Sequence, residues 1–445
     1  MLQVEIEYWG PIKPKAVFLL SRLQSPSSTE TGWDKLKISY YELAVDQGQR
    51  YPVHNISNEG TIDETVQAIT KIIDQVDTTE ISIKKKLRRE GGQIGMGLLD
   101  TIGRTNEKLE IPKVFSSLAP TKPTIVFDTY WKFAAERQNI FFLRLQADPW
   151  PWTNDSILLE YKFTNAYRAS DRVSQYLIKN VIYHGDQSPQ EVFFRIILFK
   201  LFNKIETWEL LSSKLDLITY HDYSFEQYDR ILTRELTEGR SIFSSAYIMP
   251  SGNRAFNYSR KHRNCLKLLE SMLTDELPAR VTEAKSLREV YELLRSYPML
   301  GNFLAYQFTI DLNYSGLINF TEMEFVVPGP GAQAGIRKCF TDLGGLNEAD
   351  IIRLVTYRQL QEFERLGLEF KTLFGRQLQL IDCQNLFCEV DKYSRVAHPD
   401  IQAGNGRTRI KHKFKPKSEK IDYWYPPKWG INEKLEKYRP VLEDI

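Results

Sequence analysis

One stretch of this 445-residue chain has the composition of a helix that is enclosed by protein on all sides. The sequence EVFFRIILFKLFNKIETWELL, residues 191–211, is apolar nearly all round the helical circumference. Such a helix must be covered by other elements, so the stretch predicts a helical body built around it. Four polar residues interrupt it: Arg195, Lys200, Asn203 and Glu206. Because an unpaired buried charge is costly, these residues need partners, either in internal salt bridges or beside a polar ligand site.

The composition is that of a globular protein with two or three domains. A formal net charge of +2 is too close to neutrality to argue for nucleic acid, so only the distribution of charge can do so. Four cysteines without secretory spacing, and no signal peptide, predict a cytoplasmic protein. The most apolar run, residues 193–202, is too short to span a membrane. No cofactor is predicted. No metal site is predicted either, since Cys383 and Cys388 have no second ligand pair and no nearby group of histidines.

Patterning divides the chain into predicted segments. Residues 1–110 combine strand-like alternation with helical spacing at 61–76 and predict a small α/β (α+β) accessory domain, which ends in a glycine-rich basic run without the Gly-Lys-Ser/Thr of a phosphate loop. A linker rich in proline and serine follows at 111–124. Residues 125–430 show mainly helical spacing and predict the main domain, and 431–445 are predicted to be a C-terminal tail.

The stretch WTNDSILLEYKFTNAYRASDRVSQYLI, residues 152–178, is predicted to form one long helix with a polar stripe. Four residues recur at helical spacing along that stripe: Tyr161, Asn165, Arg168 and Asp171. They provide a flat ring, an amide that both donates and accepts, and an arginine that can pair with an aspartate. With Trp152 available for stacking at the mouth of the helix, these residues are candidates for binding a nucleobase. The alternatives are a solvated helix face and, for the tryptophan, core packing.

The clearest concentration of charge is GNGRTRIKHKFKPKSEK, residues 404–420. Five basic residues alternate with others in it: Arg407, Arg409, Lys411, Lys413 and Lys415. In an extended strand, alternate side chains point to one side, so this segment is predicted to follow a DNA backbone. The alternative is a solvated basic tail.

Several segments carry a resemblance to a known family: residues 152–178, TYWKFAAERQNIFF from Thr129, SSAYIMPSG from Ser244, EFVVPGPGAQAGIRKCF from Glu324 and YWYPPKWG from Tyr423. In these segments the chain resembles the α-glutamyl/putrescinyl-thymine pyrophosphorylases, a family of DNA-base hypermodification proteins. That family is close to the helical domain found beside phage hydroxymethyluracil DNA kinases. The resemblance covers about Thr129–Gly430 and does not reach the first hundred or so residues.

A second, weaker resemblance is to the helix-hairpin-helix DNA glycosylases. ILLEYKFTN stands where those enzymes have a base-probing helix, and Leu293–Asp311 stands where they have the hairpin and its second helix. The resemblance implies that Gly301 and Asn302 bind a DNA phosphate at the free N–H groups of that helix. The sequence departs from the pattern in having a single hairpin glycine. It also has Phe303 where bifunctional members have a lysine, so strand-cleaving lyase chemistry is not expected.

Three acidic residues are candidates for catalysis. By the glycosylase resemblance, Glu324 and Glu322 fall where the catalytic carboxylate belongs, with Glu324 preferred and glutamate in place of the usual aspartate. Asp382 is their rival, because an acid flanked by apolar residues is dehydrated and is a candidate for a raised pKa.

The fold expected from these observations is mostly α, a helix-hairpin-helix glycosylase-like domain preceded by a small α/β (α+β) domain. The first functional hypothesis is a monofunctional DNA glycosylase that flips and excises a hydroxymethylated or glucosylated pyrimidine, in anti-phage defence. The second is a phage-type hypermodification transferase acting on an activated 5-hydroxymethylpyrimidine, with Arg168, Arg195 or Lys204 holding the leaving phosphate. The third is a noncatalytic reader. Each takes double-stranded or locally unpaired DNA with modified pyrimidines as its partner.

Overall fold

The computed structural model describes residues 121–404, 406–416 and 422–438, together with the backbone of four strands nearer the amino terminus. The chain divides into two compact units, Met1–Ser116 and Ser117–Ile445. The predicted domain limits, at residues 110, 124 and 430, stay predictions. The helix expected at 61–76 and most of the expected linker lie outside the described residues.

The first unit contains one antiparallel sheet, with its strands in the order β1-β2-β3-β4. The strands are β1 (Gln3–Trp9), β2 (Pro14–Arg22), β3 (Leu36–Tyr41) and β4 (His54–Asn58). Strand alternation in the sequence is therefore confirmed at β1 and β3. A short pair in the second unit joins β5 (Lys122–Pro123) to β6 (Phe340–Asp342).

The described part of the second unit is otherwise helical, which confirms the mostly α fold. Its helices are α1 (Ile125–Leu145), α2 (Ser156–Glu160), α3 (Arg172–Tyr176), α4 (Pro189–Phe202), α5 (Ile205–Lys214), α6 (Phe225–Thr237), α7 (Asn253–Phe256), α8 (Lys261–Thr274), α9 (Leu277–Glu283), α10 (Leu287–Arg295), α11 (Asn302–Asn313), α12 (Pro330–Cys339), α13 (Glu348–Tyr357), α14 (Gln359–Arg365), α15 (Leu380–Ala397) and α16 (Asn432–Tyr438). None of the helices in these described ranges is both long and apolar enough to cross a membrane.

Helix α4 occupies the centre of the second unit, as its composition predicts, and every residue from Glu191 to Phe202 is buried. The continuous helix expected over 191–211 is nevertheless two helices, because Asn203 adopts a left-handed conformation (φ 48°) before α5 begins. Asparagine is one of the few residues that tolerate this conformation. Its side-chain oxygen accepts a hydrogen bond from Lys200 Nζ at 2.7 Å, so the break also gives a buried lysine a partner.

Close packing of α12 against α15 depends on a glycine. A Cβ atom added at Gly335 would lie 2.0 Å from the carbonyl oxygen of Phe387, so only glycine lets the two helices approach so closely. This contact places α15 across the middle of the second unit, where its polar residues reach the segment that precedes α3.

The prediction of one long helix over residues 152–178 is wrong. The segment consists of α2, an extended stretch from Tyr161, a 3-10 turn at Arg168–Ser170, and α3 followed by a π-helical turn at Leu177–Ile182. Side chains from other elements satisfy its backbone: Arg137 Nε donates to Thr164 O (2.9 Å), Thr164 N–H donates to Glu389 (2.9 Å) and Arg168 N–H donates to Asp382 (2.7 Å). Tertiary hydrogen bonds therefore replace the helical ladder and override the helical spacing.

Candidate functional site: a basic pocket beside the central segment

A pocket of about 690 Å³ opens beside the extended part of residues 152–178, which we call the central segment. Its size lies within the range of small-molecule pockets, roughly 300–1,000 Å³. Seven cationic side chains line it: Arg137, Arg144, Lys162, Arg172, Lys179, Lys413 and Lys415. Three acidic side chains line it: Asp171, Glu209 and Asp422. Six aromatic side chains complete much of the wall: Trp150, Trp152, Tyr161, Phe163, Tyr176 and Phe414.

The amide of Asn165 is held in a fixed orientation at the pocket wall. Arg137 Nη2 donates to Asn165 Oδ1 at 3.1 Å, and Asn165 Nδ2 donates to the carbonyl oxygen of Ser170 at 2.5 Å. Burial lowers the pKa of Arg137 to about 10, so the guanidinium remains cationic at neutral pH. The side chain of Asn165 also interacts with the Tyr423 hydroxyl, so one lone pair of its amide oxygen remains for a ligand.

A basic extended segment, residues 406–416, which we call the strap, runs along the pocket. Phe414 N–H donates to Glu160 O (2.9 Å) and Lys162 N–H donates to His412 O (3.0 Å), so the strap pairs antiparallel with the chain at Tyr161. Lys413 forms an ion pair with Glu160 and lies 4.8 Å above the ring of Tyr161. The strap thus brings Lys413 and Lys415 to the pocket, whereas Arg407, Arg409 and Lys411 do not line it.

Two tryptophans form the aromatic part of the rim. The rings of Trp150 and Trp152 meet edge to face at 5.1 Å, and Trp150 also contacts Phe414 of the strap at 5.3 Å. The guanidinium of Arg144 lies 4.9 Å from the ring of Trp152. A cation and two indole rings therefore lie side by side in the pocket lining.

Arg168, only three residues beyond Asn165, points away from the pocket into the core. Arg168 Nη1 donates to Asp311 at 2.8 Å, and Lys200 Nζ lies 3.0 Å from the other carboxylate oxygen of Asp311. We call Arg168, Lys200 and Asp311 the closed cluster; their side chains are at most 3% exposed. Burial opposes ionisation of Asp311, but its two cationic neighbours outweigh burial and lower its pKa. Arg168 Nε is also satisfied, by Gln307 at 3.1 Å.

The predicted base-binding residues are therefore divided. Trp152, Tyr161, Asn165 and Asp171 all line the pocket, and Arg168 does not. Their assignment to base binding stays a prediction.

The predicted catalytic acids lie elsewhere. Glu324 accepts the N–H groups of Leu287 (2.8 Å) and Arg288 (3.1 Å) and so caps the start of α10. Glu322 is buried and lies 3.1 Å from Arg376. Neither glutamate lines the pocket.

Asp382 lies behind the central segment, where it accepts the N–H groups of Arg168 (2.7 Å) and Gln379 (2.9 Å). Burial first, and then the charge of Glu322, raise the pKa of Asp382 to about 7, which confirms the direction expected from its apolar neighbours. Asp382 does not line the pocket either.

The predicted phosphate contacts of the hairpin lie at the start of α11. Gly301 is the N-cap residue and has no side-chain cap bond, while Asn302 Oδ1 accepts from Arg295 Nη1 at 3.3 Å. Neither residue lines the pocket. Within the described ranges, no cluster of three or more histidine, cysteine or acidic side chains is placed to hold a metal ion.

Sequence reasoning missed five of the lining cations: Arg137, Arg144, Lys162, Arg172 and Lys179. Two of them had a detectable signal, since Arg137 and Arg144 lie seven residues apart and hence on one face of α1. For Lys162 the signal was hidden, because the irregular path of residues 161–171 does not follow helical spacing. Arg172 and Lys179 lie in α3 and in the π-helical turn after it, which the sequence analysis had merged into one long helix.

Comparisons with known proteins agree with one another. Residues 124–403 match the family described as "5-hmdU DNA kinase, helical domain", where 5-hmdU denotes 5-hydroxymethyldeoxyuridine. The 5-hmdU DNA kinase of Bacillus phage SP10 is 31% identical over 293 residues, which cover 62% of this chain and 46% of that relative. The match thus spans less than half of the relative's length. No solved structure matches the chain significantly.

These matches contradict the glycosylase hypothesis. The relative is named for a kinase, which is a transferase, so the prediction of a hydrolase that excises a base is wrong. The helix-hairpin-helix interpretation of α10 and α11 is likewise unsupported, although two helices joined by a turn are present. The transferase hypothesis agrees better with both matches.

Proposed function

Since this chain belongs to the 5-hmdU DNA kinase helical-domain family, we propose that it is a DNA-modifying transferase that acts at the 5-hydroxymethyl group of uracil in DNA. The pocket beside Asn165 supports this proposal most directly. Most of its lining lies inside the matched residues, and it combines aromatic rings, a fixed amide and an excess of cations. Those are the groups needed to hold a base and a phosphate together.

In the proposed complex, the modified base leaves the stack and enters the pocket. Trp152 and Tyr161 provide faces on which it stacks. The edge of uracil offers an N–H group, which can donate to the remaining lone pair of Asn165 Oδ1. Because Arg137 and Ser170 already orient the amide, little ordering of Asn165 is required on binding.

Phosphoryl transfer is the reaction that we propose first, because the relative is named a kinase. The hydroxymethyl oxygen forms a bond to the γ-phosphorus of a nucleoside triphosphate, while the bond from that phosphorus to the leaving diphosphate breaks. The hydroxyl proton passes to a base or to solvent. The lining cations stabilise the charge of the transferring group.

A second candidate is displacement at the same carbon. An amine forms a C–N bond to the methylene group, and the C–O bond to a phosphate or pyrophosphate breaks, so that the leaving group departs with the electron pair. The nitrogen then releases a proton to solvent. The resemblance of Thr129–Gly430 to the α-glutamyl/putrescinyl-thymine pyrophosphorylases favours this reaction. Of the three residues named for the leaving phosphate from sequence, Arg168 and Arg195 are buried, and Lys204 donates to the carbonyl oxygen of Ser241 and does not line the pocket. The lining cations replace them in this role.

The test uses the full chain and oligonucleotides that differ at one base, thymine or 5-hydroxymethyluracil. One arm supplies nucleoside triphosphate, and a second supplies an amine with DNA whose hydroxymethyl group is already phosphorylated. We expect a mass gain confined to the modified base in one of these arms. Trp152→Ala should reduce the gain, and Lys132→Gln, an exposed charge on α1 that does not line the pocket, should not. Modified DNA that is bound but unchanged in both arms would identify a reader and overturn the proposal.

A further inference from the structure

An aliphatic side chain is exposed to solvent in the loop between α6 and α7. Ile248 is 69% exposed, and it lies in residues 238–252, which form neither helix nor strand. Single exposed aliphatic residues are common on protein surfaces, so exposure alone assigns no role to Ile248. Two further features distinguish this loop: the backbone conformation next to Ile248, and the charge of the chain around it.

The residue before Ile248 has a backbone conformation that bulky residues rarely adopt. Tyr247 has a φ of 53°, which lies in the left-handed region. Its ring is held by two neighbours, since it stacks on Phe303 with centroids 5.8 Å apart, and Lys200 Nζ lies 4.7 Å from its centroid. Such strain persists only where surrounding groups enforce it, and it is concentrated at functional sites. Tyr247 therefore anchors the loop and fixes the position of the exposed residue that follows it.

The chain around this loop is basic without interruption. Residues 239–269 contain six lysine and arginine residues and no aspartate or glutamate. Two of the six, Arg254 and Arg260, form no ion pair with a carboxylate among the described residues, and Arg254 is exposed. The buried Asn264 holds the turn that carries Arg254, because its Nδ2 donates to a carbonyl oxygen on each side of that turn, both at 2.8 Å. The surface thus presents positive charge that the protein does not neutralise itself, as contact with a DNA backbone requires.

A second exposed aliphatic residue provides the contrast. Leu217 is 67% exposed and also lies in a loop, between α5 and α6. Residues 215–229, however, contain four acidic residues and no lysine or arginine. A DNA backbone would be repelled at Leu217 and attracted at Ile248. Leu217 is therefore a matched control for any role of Ile248 on DNA.

The loop begins beside the wall of the pocket. Ser244 N–H donates to Phe202 O at 2.9 Å, and Thr207 Oγ1 donates to Ile242 O at 2.8 Å. The start of the loop therefore packs along the turn between α4 and α5. Ile205, the first residue of α5, lines the pocket. DNA that lies on this loop would thus be next to the pocket that is proposed to receive the base.

We propose that Ile248 is a wedge that enters the base stack and fills the space left by the modified base when it moves into the pocket, while Arg254 and Arg260 contact the neighbouring phosphates. This inference rests on the proposed function, because a wedge is required only where a base is extruded. Apolar side chains, isoleucine among them, are inserted between base steps by proteins that unstack DNA. Because Tyr247 already anchors the loop, little conformational freedom is lost on insertion.

Binding to paired and unpaired DNA tests the wedge. The full chain is titrated with an oligonucleotide that carries one 5-hydroxymethyluracil, either in a duplex opposite adenine or as a single strand. Ile248→Ala should weaken duplex binding about tenfold, because alanine leaves the opened stack unfilled. It should leave single-strand affinity unchanged, because no stack has to be opened. Ile248→Leu should keep most of the duplex affinity, and Leu217→Ala should change neither affinity.

The phosphate contacts are tested by salt dependence. Arg254→Gln should weaken duplex binding alike for 5-hydroxymethyluracil and thymine. It should also reduce the slope of the logarithm of affinity against the logarithm of salt concentration by about one. An unchanged slope would remove Arg254 from the proposed DNA surface.

Each failure has a distinct signature. Wild-type affinity of Ile248→Ala for the duplex would overturn the wedge, and so would an equal loss for duplex and single strand, which would make Ile248 a general DNA contact. If Ile248→Ala instead lowered the mass of an oligomer in sedimentation and left duplex affinity unchanged, the loop would be a protein interface, which also overturns the wedge. A wild-type protein that binds thymine and 5-hydroxymethyluracil equally in both forms of DNA would contradict the proposed function itself.

Discussion

Asn165 and Arg168 lie three residues apart, yet one lines an open basic pocket and the other belongs to a buried ion-pair cluster. In the closed cluster, the carboxylate of Asp311 lies between Arg168 and Lys200, and every charged group has a protein partner. In the pocket, the cations outnumber the acids, and Arg144 has no carboxylate partner among the described residues. The paired charges of the closed cluster hold the central segment in place. The lining cations that have no carboxylate partner are available to a ligand.

A second buried cluster supports this distinction. Asp391 lies between Lys338 at 3.1 Å and Arg395 at 2.5 Å, and none of these side chains is more than 11% exposed. One carboxylate between two cations thus recurs in the core, where it links α12 to α15. Because a buried ion pair is weak support for stability but costly to break, both clusters are expected to fix geometry.

The largest effect is expected from breaking the closed cluster. Asp311→Ala leaves Arg168 and Lys200 buried without a counter-charge and should lower the free energy of unfolding by about 3–5 kcal/mol. Urea denaturation at neutral pH measures this change. As a control, Asp422→Ala removes a carboxylate whose side chain is 57% exposed at the pocket, and should cost about 1 kcal/mol or less. Equal losses of unfolding free energy in the two variants would show that the closed cluster contributes no more to stability than a charge at the pocket.

The same comparison explains what could be predicted from sequence. The burial of α4 and the strands β1 and β3 follow from local periodicity, which depends only on neighbours in the chain. Asn165 and Asp171 of the predicted polar stripe both line the pocket, and their role stays a prediction. The helix predicted to carry the stripe is wrong, because the side chains that replace its helical hydrogen bonds are distant in sequence: Asp382 for the N–H of Arg168 and Glu389 for that of Thr164. No local pattern could place Arg168 against Asp311, 143 residues away.

The reaction class could not be predicted from the acids for a related reason. A carboxylate near a hairpin has the same sequence appearance whether it is catalytic or, like Glu324, caps a helix. The excess of cations in the pocket could be predicted from the sequence only in part. Arg137 and Arg144 share a helix face, but their proximity to the strap is a tertiary contact between distant segments.

An intermediate effect on stability is expected from pH, through Asp382 in the core behind the central segment. The pKa of Asp382 is raised to about 7, mainly by burial, against about 4 in an unfolded chain. The folded protein therefore holds this proton more tightly, so the stability it contributes is full below about pH 4 and is lost as the pH rises to about 7. Over that range, the free energy of unfolding of the wild type should fall relative to that of Asp382→Asn. Parallel pH profiles for the two proteins, or a carboxyl NMR titration near pH 4, would contradict this.

The smallest effect is expected on DNA affinity, from a substitution in the strap beside the pocket. Lys415 is exposed and lines the pocket, so Lys415→Gln should remove one backbone phosphate contact. The logarithm of affinity should then depend less steeply on the logarithm of salt concentration, by a slope change of about one, and affinity should fall alike for modified and unmodified DNA. Lys132→Gln should leave the slope unchanged. If Lys415→Gln instead altered the preference for the modified base, the strap would contact the base and not only the DNA backbone.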